Sequence, residues 1–433
     1  MQETYYLHSY GCQMNVADSG ILSAAMEKAG FVPVPNPDEA GVIIINTCSV
    51  RERAEERALG RLTELARIKK KGDSRICVIG CMAQRMGEKI LERIPEMDFI
   101  LGTERLFDLP RLLNNESAKP VVDTRMTNDL NWAEFSPAPD SPYSAHVTIS
   151  RGCNNYCAYC IVPYLRGPER YREAGAIIKD INELTRKGIV EITLVGQNVN
   201  SYNSGRMHFP GLIKNMIDET DVKRIRFITS HPKDLSDDLI DLFASEQKLM
   251  GHFHLPLQSG SDRILDRMFR KYDYAHYLSL IHKLRQARSN IAITTDLIVG
   301  FPTETEDEFG MTLEAVREIR FDAAFMFRYS MREGTWAAKN LIDDVPEGIK
   351  LKRLQELIDL QKGISYQVNQ KEIGRISSVL IDGTSRRDRS VWKGKTEGNK
   401  TILVKNPDDL LGKIVNSRVN RADSWTLHGE LAA

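Results

Sequence analysis

A chain of 433 residues is longer than one small module, and two or three domains are the natural expectation. Its 59 Lys and Arg balance 59 Asp and Glu, which excludes a chain that is basic throughout, such as a histone-like binder. Hydrophobic residues at 42% and charged residues at 27% exclude global disorder and suit a globular protein with a sizeable core.

Taken from the start, Met1-Gln2-Glu3-Thr4-Tyr5 lacks the basic and apolar regions of a signal peptide. No apolar run approaches the roughly 18 residues that span a bilayer. A cytoplasmic protein with no membrane partner is expected. Residues 1–118 alternate short apolar runs with helical patterns. Tyr5–Tyr10, Val42–Asn46 and Ile76–Ile79 read as buried strands, and Arg51–Leu65 as a solvated amphipathic helix. This alternation predicts a parallel α/β sheet domain. Residues 119–143, with Pro120, Pro137, Pro139 and Pro142, read as a linker.

From residue 144 to 367 six strand candidates alternate with helices. The strands are Ala145–Ser150, Glu191–Gly196, Arg224–Ser230, His252–Leu257, Ala292–Gly300 and Ala323–Ser330. Six units fall short of the eight of a full barrel, so a partial (β/α)6 barrel is expected. Residues 368–433 carry five short strand patterns separated by turn signals such as Asp382-Gly383 and Gly398-Asn399, the size of an OB-like β-barrel. Between Gly383 and Lys405, Arg386, Arg387, Arg389, Lys393, Lys395, Lys400 and Lys405 meet only Asp388 and Glu397, a local charge of +5. Trp392 and Trp425 read as buried barrel aromatics in preference to base-stacking surfaces.

The seven cysteines are an odd number for a reducing compartment, which favours metal ligation or thiol chemistry over disulfides. Cys153-Asn154-Asn155-Tyr156-Cys157-Ala158-Tyr159-Cys160 is a C-x3-C-x2-C run directly after the first barrel strand. Three thiolates at this spacing can ligate three irons of a 4Fe-4S cluster and leave the fourth open. Strand C-terminal ends are where barrel folds bind cofactors. A zinc site is the rival reading, but it wants a fourth protein ligand, and His146 on the preceding strand does not supply one. Cys12, Cys48 and Cys81 are widely separated, yet each directly follows a predicted strand. Strand C-termini of a parallel sheet share one edge, so these thiols are expected to converge. Taken singly, each would read as a small buried hydrophobe. Gly11 and Gly80 permit close backbone approach there. Cys77, inside its strand, reads as core.

With Tyr159 at the aromatic position, the Cys153–Cys160 run resembles the radical S-adenosylmethionine (SAM) superfamily signature. The two triplets, the partial barrel and the basic terminal barrel together resemble the methylthiotransferases over essentially the whole chain. That family carries an N-terminal methylthiotransferase domain, a radical SAM core and a C-terminal TRAM domain. The motifs Gly11-Cys12-Gln13-Met14-Asn15, Asn46-Thr47-Cys48-Ser49-Val50-Arg51, Gly80-Cys81-Met82-Ala83-Gln84-Arg85 and Gly196-Gln197-Asn198-Val199-Asn200 resemble the MiaB branch. That branch methylthiolates C2 of N6-isopentenyladenosine beside the tRNA anticodon. The RimO branch, which modifies a ribosomal-protein aspartate, more typically reads Gly-Cys-Pro-Lys-Asn at the first motif, so Gln13 and Met14 favour tRNA.

The resemblance implies that Cys153, Cys157 and Cys160 hold the radical SAM 4Fe-4S cluster and Cys12, Cys48 and Cys81 an auxiliary one. It places SAM near Tyr159, Gly196, Gln197, Asn198, Gln258, Ser259 and Asp296. At Gly196-Gln197-Asn198 amides stand where the superfamily often has Gly-Gly-Glu. Asp296 replaces the usual leading glycine of the strand behind the adenine. For each polar residue a strand-end or turn role is the alternative. Pro168 and Tyr171 depart from the Arg/Ser-rich run expected after Cys160. The implied reaction uses one SAM to methylate a sulfur of the auxiliary cluster. A second SAM yields a 5′-deoxyadenosyl radical that takes the hydrogen from adenine C2, after which the methylthio group transfers. The implied partners are tRNA carrying N6-isopentenyladenosine and an electron donor protein, with the chain a monomer. A methylthiotransferase for a ribosomal-protein aspartate or a differently modified adenosine is the alternative, and an RNA-binding Fe-S redox sensor a further one.

Overall fold

The computed structural model describes residues 3–49, 52–69, 74–115, 119–127, 139 and 141–432. The chain divides into two compact units. The first comprises Met1–Tyr156, Cys160–Ile189 and Thr193–Gln197; the second comprises Cys157–Tyr159, Val190–Ile192 and Asn198–Ala433.

In the first unit six parallel strands form one sheet: Thr4–Tyr10, Val32–Pro33, Val42–Thr47, Arg75–Gly80, Phe99–Leu101 and Val121–Asp123. Numbered by sequence, their order is 2-1-3-4-5-6. Val42–Ile45 and Ile76–Ile79 are continuous apolar runs because both sheet faces are covered. Val42, Ile44, Cys77 and Ile79 pack with Ile21, Leu22 and Met26 of the helix Gln13–Lys28. On the other face Ile43, Ile45, Ile76 and Val78 pack with Ala58, Leu62 and Leu65 of the helix Glu52–Lys69. Cys77 is therefore a core residue, and burial pushes its thiol well up from the usual range. Val121–Asp123, within the stretch expected to be a linker, is instead the sheet's edge strand. Three residues are too few to show periodicity beside a proline. Pro137, in the same stretch, lies outside the described residues, as do Val50 and Arg51 of the second motif.

The partial barrel supplies six strands in chain order: Ser144–Thr148, Glu191–Val195, Arg224–Phe227, His252–His254, Ala292–Val299 and Ala323–Arg328. In the second unit the last three pair in parallel. The strand expected to run to Leu257 stops at His254, ahead of Pro256, which has no N–H to give a ladder. Thr305 and Glu308 form a capping box that starts the helix Glu306–Ile319.

The C-terminal strands Ile376–Thr384, Val391–Thr396, Thr401–Lys405, Ile414–Ala422 and Thr426–Leu431 close into a barrel around Val379, Ile381, Ile402, Val404, Val419 and Leu427. Within the second unit this barrel is gripped by two buried arginines. Arg224 and Arg226 each place Nε 2.9 Å from Glu191. Their remaining N–H groups donate to the carbonyls of Lys395, Thr396 and Glu397. Trp392 is half-buried against the barrel core and donates to Asp408 O at 2.9 Å. Trp425, expected to be buried, is 57% exposed. The basic stretch is partly neutralised: Lys393 pairs with Asp382 at 3.1 Å, and Lys400 with Asp322 at 2.8 Å and Glu372 at 3.2 Å. Arg386, Arg387, Arg389 and Lys405 are exposed. No helix among the described residues is long and apolar enough to cross a membrane.

Candidate active site

The 2-1-3-4-5-6 parallel order reverses between its first and third strands, and ligands of such sheets bind beyond the strand C-termini at that point. Cys12 follows the first strand and Cys48 the third, so they flank the reversal. Cys81 follows the fourth and opens the helix Cys81–Met86. One asparagine ties the first two loops together. Asn15 donates Nδ2 to Asn46 Oδ1 at 2.9 Å and to Thr47 O at 3.0 Å, and its Oδ1 lies 3.3 Å from Cys12 Sγ. Thr47 in turn donates to Ile79 O at 2.6 Å. Gly80 sits at φ 93°, where a Cβ would lie 2.5 Å from Asn46 Oδ1 and 2.7 Å from Thr47 O. Only glycine lets these turns approach so closely. The Cys12 thiol is held down to about 6, chiefly by a hydrogen bond with Cys48, against burial and with help from Arg166. Burial pushes the Cys81 thiol up, and Arg166 opposes it. The first triplet thus contains a thiol ready to ionise beside a permanent cation.

That cation belongs to a buried cluster that sequence reasoning missed. Asp18, fully buried, receives Arg151 and, at 2.8 Å, Nη2 of Arg166. Arg151 also lies 4.7 Å from the Phe107 ring and donates to Thr103 O at 3.2 Å. Each of the three stands a few residues from a cysteine motif, the only signal the sequence offered. Cys81 packs against Ile161 and Leu165, so this triplet touches the segment that follows Cys160.

In the second triplet Cys153 and Cys160 belong to the first unit and Cys157 to the second. In the first unit Gly152 sits at φ 81°, with a Cβ position only 1.9 Å from Pro168 O. Its N–H donates to Gln197 Oε1 at 2.6 Å, and Cys153 N–H to Gly167 O at 3.1 Å. Gln197 therefore has a loop-holding contact, and Gly196 beside it is buried. In the second unit Arg270 Nη1 donates to Cys157 Sγ at 3.3 Å and lies 3.4 Å from the Tyr159 hydroxyl. Its Nη2 donates to Pro256 O at 3.1 Å and its Nε to Tyr272 Oη at 3.0 Å. Cys157 thus has a buried arginine beside it, as Cys12 and Cys81 have Arg166.

At the strand ends of the second unit several buried polar atoms have no hydrogen-bond partner among the described residues: Asn198 Oδ1, Ser230 Oγ, His231 Nε2 and Gln258 Oε1. Asn198 donates its Nδ2 to Asp234 at 2.7 Å, and Gln258 is held at φ 74°. Orphaned buried groups are costly and point to an absent ligand. Ser230 and His231 were not singled out in the sequence. Ser259 accepts from Ser261 N–H at 3.2 Å and lies 3.4 Å from Thr312 Oγ1. Asp296 is half-buried, 3.5 Å from His254 Nε2. Among the described residues no group of three or more His, Cys, Asp or Glu is arranged to hold a single metal ion. A 4Fe-4S cluster asks instead for one thiolate per iron.

A parallel-sheet domain, a partial barrel with C-x3-C-x2-C at its first strand end and a closed five-stranded terminal barrel define a radical SAM enzyme with a TRAM domain. Residues 4–102 match the Uncharacterized protein family UPF0004, residues 147–316 the Radical SAM superfamily, and residues 370–432 the TRAM domain. The solved radical SAM methyltransferase TsrM from Kitasatospora setae is similar in fold, with TM-score 0.56 and 12% identity over 78% of this chain and 74% of that one. The cobalamin-dependent SAM radical enzyme OxsB has TM-score 0.55 and 14% identity over 82% of this chain and 56% of that one. The tRNA-2-methylthio-N(6)-dimethylallyladenosine synthase of Carboxydothermus hydrogenoformans is 43% identical over 99% of both chains. That of Moorella thermoacetica is 42% identical over 99% of this chain and 98% of its own. The chain belongs to the tRNA-2-methylthio-N(6)-dimethylallyladenosine synthase family.

Proposed function

We propose that the protein places a methylthio group on C2 of N6-isopentenyladenosine beside the anticodon of tRNA. The observation that carries this reading is the arrival of Cys12, Cys48 and Cys81 at one sheet edge in a chain that also has Cys153, Cys157 and Cys160. A radical SAM enzyme needs only the second set to cleave SAM; the first gives it somewhere to keep a transferable sulfur. Bound to these residues, two 4Fe-4S clusters and SAM supply one-electron cleavage of SAM, a 5′-deoxyadenosyl radical and the sulfur to be transferred.

The chain's own residues hold and shield that chemistry. Arg270 steadies the Cys157 thiolate, and Tyr159 lies against the same guanidinium. Asn198 and Gln258 offer acceptors, and Ser230 and His231 hydrogen-bonding atoms, for the polar groups of SAM. Gln197 keeps the Gly152 turn in shape from outside the ligand shell, as Ser259 does for its own turn. Gly196 leaves room at its strand end, and Asp296 faces His254 on the last sheet. The exposed Arg386, Arg387, Arg389 and Lys405 suit tRNA phosphates, and exposed Trp425 offers a stacking face. The target base has to leave its stack to be reached. An electron donor protein, a cytoplasmic setting and a monomer complete the reading. Its first domain extends through the edge strand Val121–Asp123, and the other two run 144–367 and 368–433.

Mass analysis of nucleosides from isopentenylated tRNA, after incubation with reductant and SAM, tests the function. Appearance of the 2-methylthio nucleoside supports it; modification of a ribosomal protein with the tRNA untouched rejects it.

A further inference from the structure

Asp18 faces the guanidinium groups of both Arg151 and Arg166, in a buried cluster where Glu104 and Arg170 also act on Arg151. Arg166 is 2% exposed, and its Nη1 has no hydrogen-bond partner among the described residues although Nη2 is fixed on Asp18. A buried guanidinium N–H left without an acceptor is costly unless one completes it. The helix Val162–Arg166 that carries it packs, through Leu165, on Cys81. Arg166 is also close enough to Cys12 and Cys81 to act on both thiols. A 4Fe-4S core in its 2+ state with three thiolates has one net negative charge, which a neighbouring guanidinium favours.

We propose that Arg166, held in place by Asp18, is the positioning residue of the auxiliary cluster: its unused N–H donates to a cluster sulfur, and its charge offsets that of the three-thiolate cluster. The inference rests on the reading of Cys12, Cys48 and Cys81 as cluster ligands. Arginine suits the task because its planar fork serves Asp18 with one nitrogen while presenting another elsewhere, which a lysine cannot do. A fixed positive charge favours the reduced, more negative cluster, so it raises the midpoint potential.

The test uses the full chain with Cys153, Cys157 and Cys160 changed to Ala, so that any cluster sits on the first triplet. Redox titration followed by electron paramagnetic resonance reads its potential. Arg166→Gln should weaken one-electron reduction at least tenfold, a downward shift of about 59 mV per tenfold. Asp18→Asn should shift it upward, and Arg166→Lys should recover part of the loss. An unmoved potential in Arg166→Gln overturns the proposal. Thermal unfolding with and without iron gives a second readout. Arg166→Gln should lower the melting temperature more in the iron-loaded protein than in the iron-free one. An equal loss in both, which a purely structural ion pair predicts, overturns the proposal. If the triple-Ala parent binds no iron at all, the auxiliary-cluster reading itself fails, and the inference with it.

Discussion

Asn15 Nδ2 lies 2.9 Å from Asn46 Oδ1, and Asn46 Nδ2 returns a bond to Asn15 O at 2.9 Å. This reciprocal pair joins the loop of Cys12 to the strand that leads to Cys48. Asn15→Ala leaves Asn46 Oδ1 and Thr47 O short of a donor in a buried place, at about 1–3 kcal/mol for each group. The variant is expected to lose auxiliary iron while still forming 5′-deoxyadenosine from SAM. Iron content measured in a background lacking the second triplet checks this; full loading would show that the loops hold themselves.

Two glycine substitutions should move stability in opposite directions. Gly80→Ala puts a Cβ at 2.5 Å from Asn46 Oδ1 at a left-handed φ and should lower the melting temperature markedly. Gly60, exposed in the helix Glu52–Lys69, has nothing within 4 Å of its Cβ position. Gly60→Ala is expected to stabilise by up to about 1 kcal/mol. Calorimetry on both variants reads the contrast directly.

Cys48→Ala and Arg270→Lys separate the two triplets. Cys48→Ala should leave SAM cleavage intact and abolish methylthio transfer. Arg270→Lys keeps a charge near Cys157 but loses the fork that also serves Pro256 O and Tyr272. It should slow 5′-deoxyadenosine formation about 10–100-fold, the usual cost of removing a ligand's supporting bond. A Cys157→Ala protein should form none. Methylthiolated tRNA from Cys48→Ala would remove the role given to the first triplet.

Two buried histidines set an acid limit on stability. His231 is pushed far below the usual range by burial and then by Arg270, Lys233 and Lys271. His252 is pushed down by burial and then by Arg226, His254 and Lys395. A base whose pKa is lower folded than unfolded takes up its proton on unfolding, so stability falls as pH drops below the unfolded value of about 6.5. The slope approaches about 1.4 kcal/mol per pH unit for each histidine. Denaturant unfolding between pH 7.5 and 5.5 should show it, and His252→Gln should flatten it.

The exposed and the paired cations of the terminal barrel predict different salt effects. Changing Arg386, Arg387 or Arg389 to Ala should reduce the slope of log affinity for tRNA against log salt by about 0.7–0.9 for each phosphate no longer neutralised. Lys400, occupied by Asp322 and Glu372, should leave the slope unchanged when replaced. Equal effects at Lys400 and Arg387 would contradict an RNA-facing role for the exposed set.

The sequence made legible what local spacing encodes. Six barrel strands, five strands of the small barrel and the C-x3-C-x2-C run could be read directly, because each repeats a period or a motif within a few residues. Cys12, Cys48 and Cys81 could be placed at one edge because each stands at the end of an apolar run. The edge strand Val121–Asp123 was hidden by its length and the neighbouring prolines. Asp18, Arg151 and Arg166 were hidden for another reason: a charged residue looks solvated in sequence, and only a tertiary contact reveals it as buried. Lys393 and Lys400 illustrate the converse, counted as free charge until their acidic partners came into view.

Asp18 stands 133 residues before Arg151 and 148 before Arg166 in the chain. A ribosome must therefore deliver well beyond the first sheet before this carboxylate can be neutralised. Until then the N-terminal third carries an unpaired anion at the threshold of its own cysteine site. Maturation of that site is thereby tied to the arrival of the segment that carries the other cysteines. A fragment ending at residue 118 would be a poor vehicle for loading iron, however complete its three thiols.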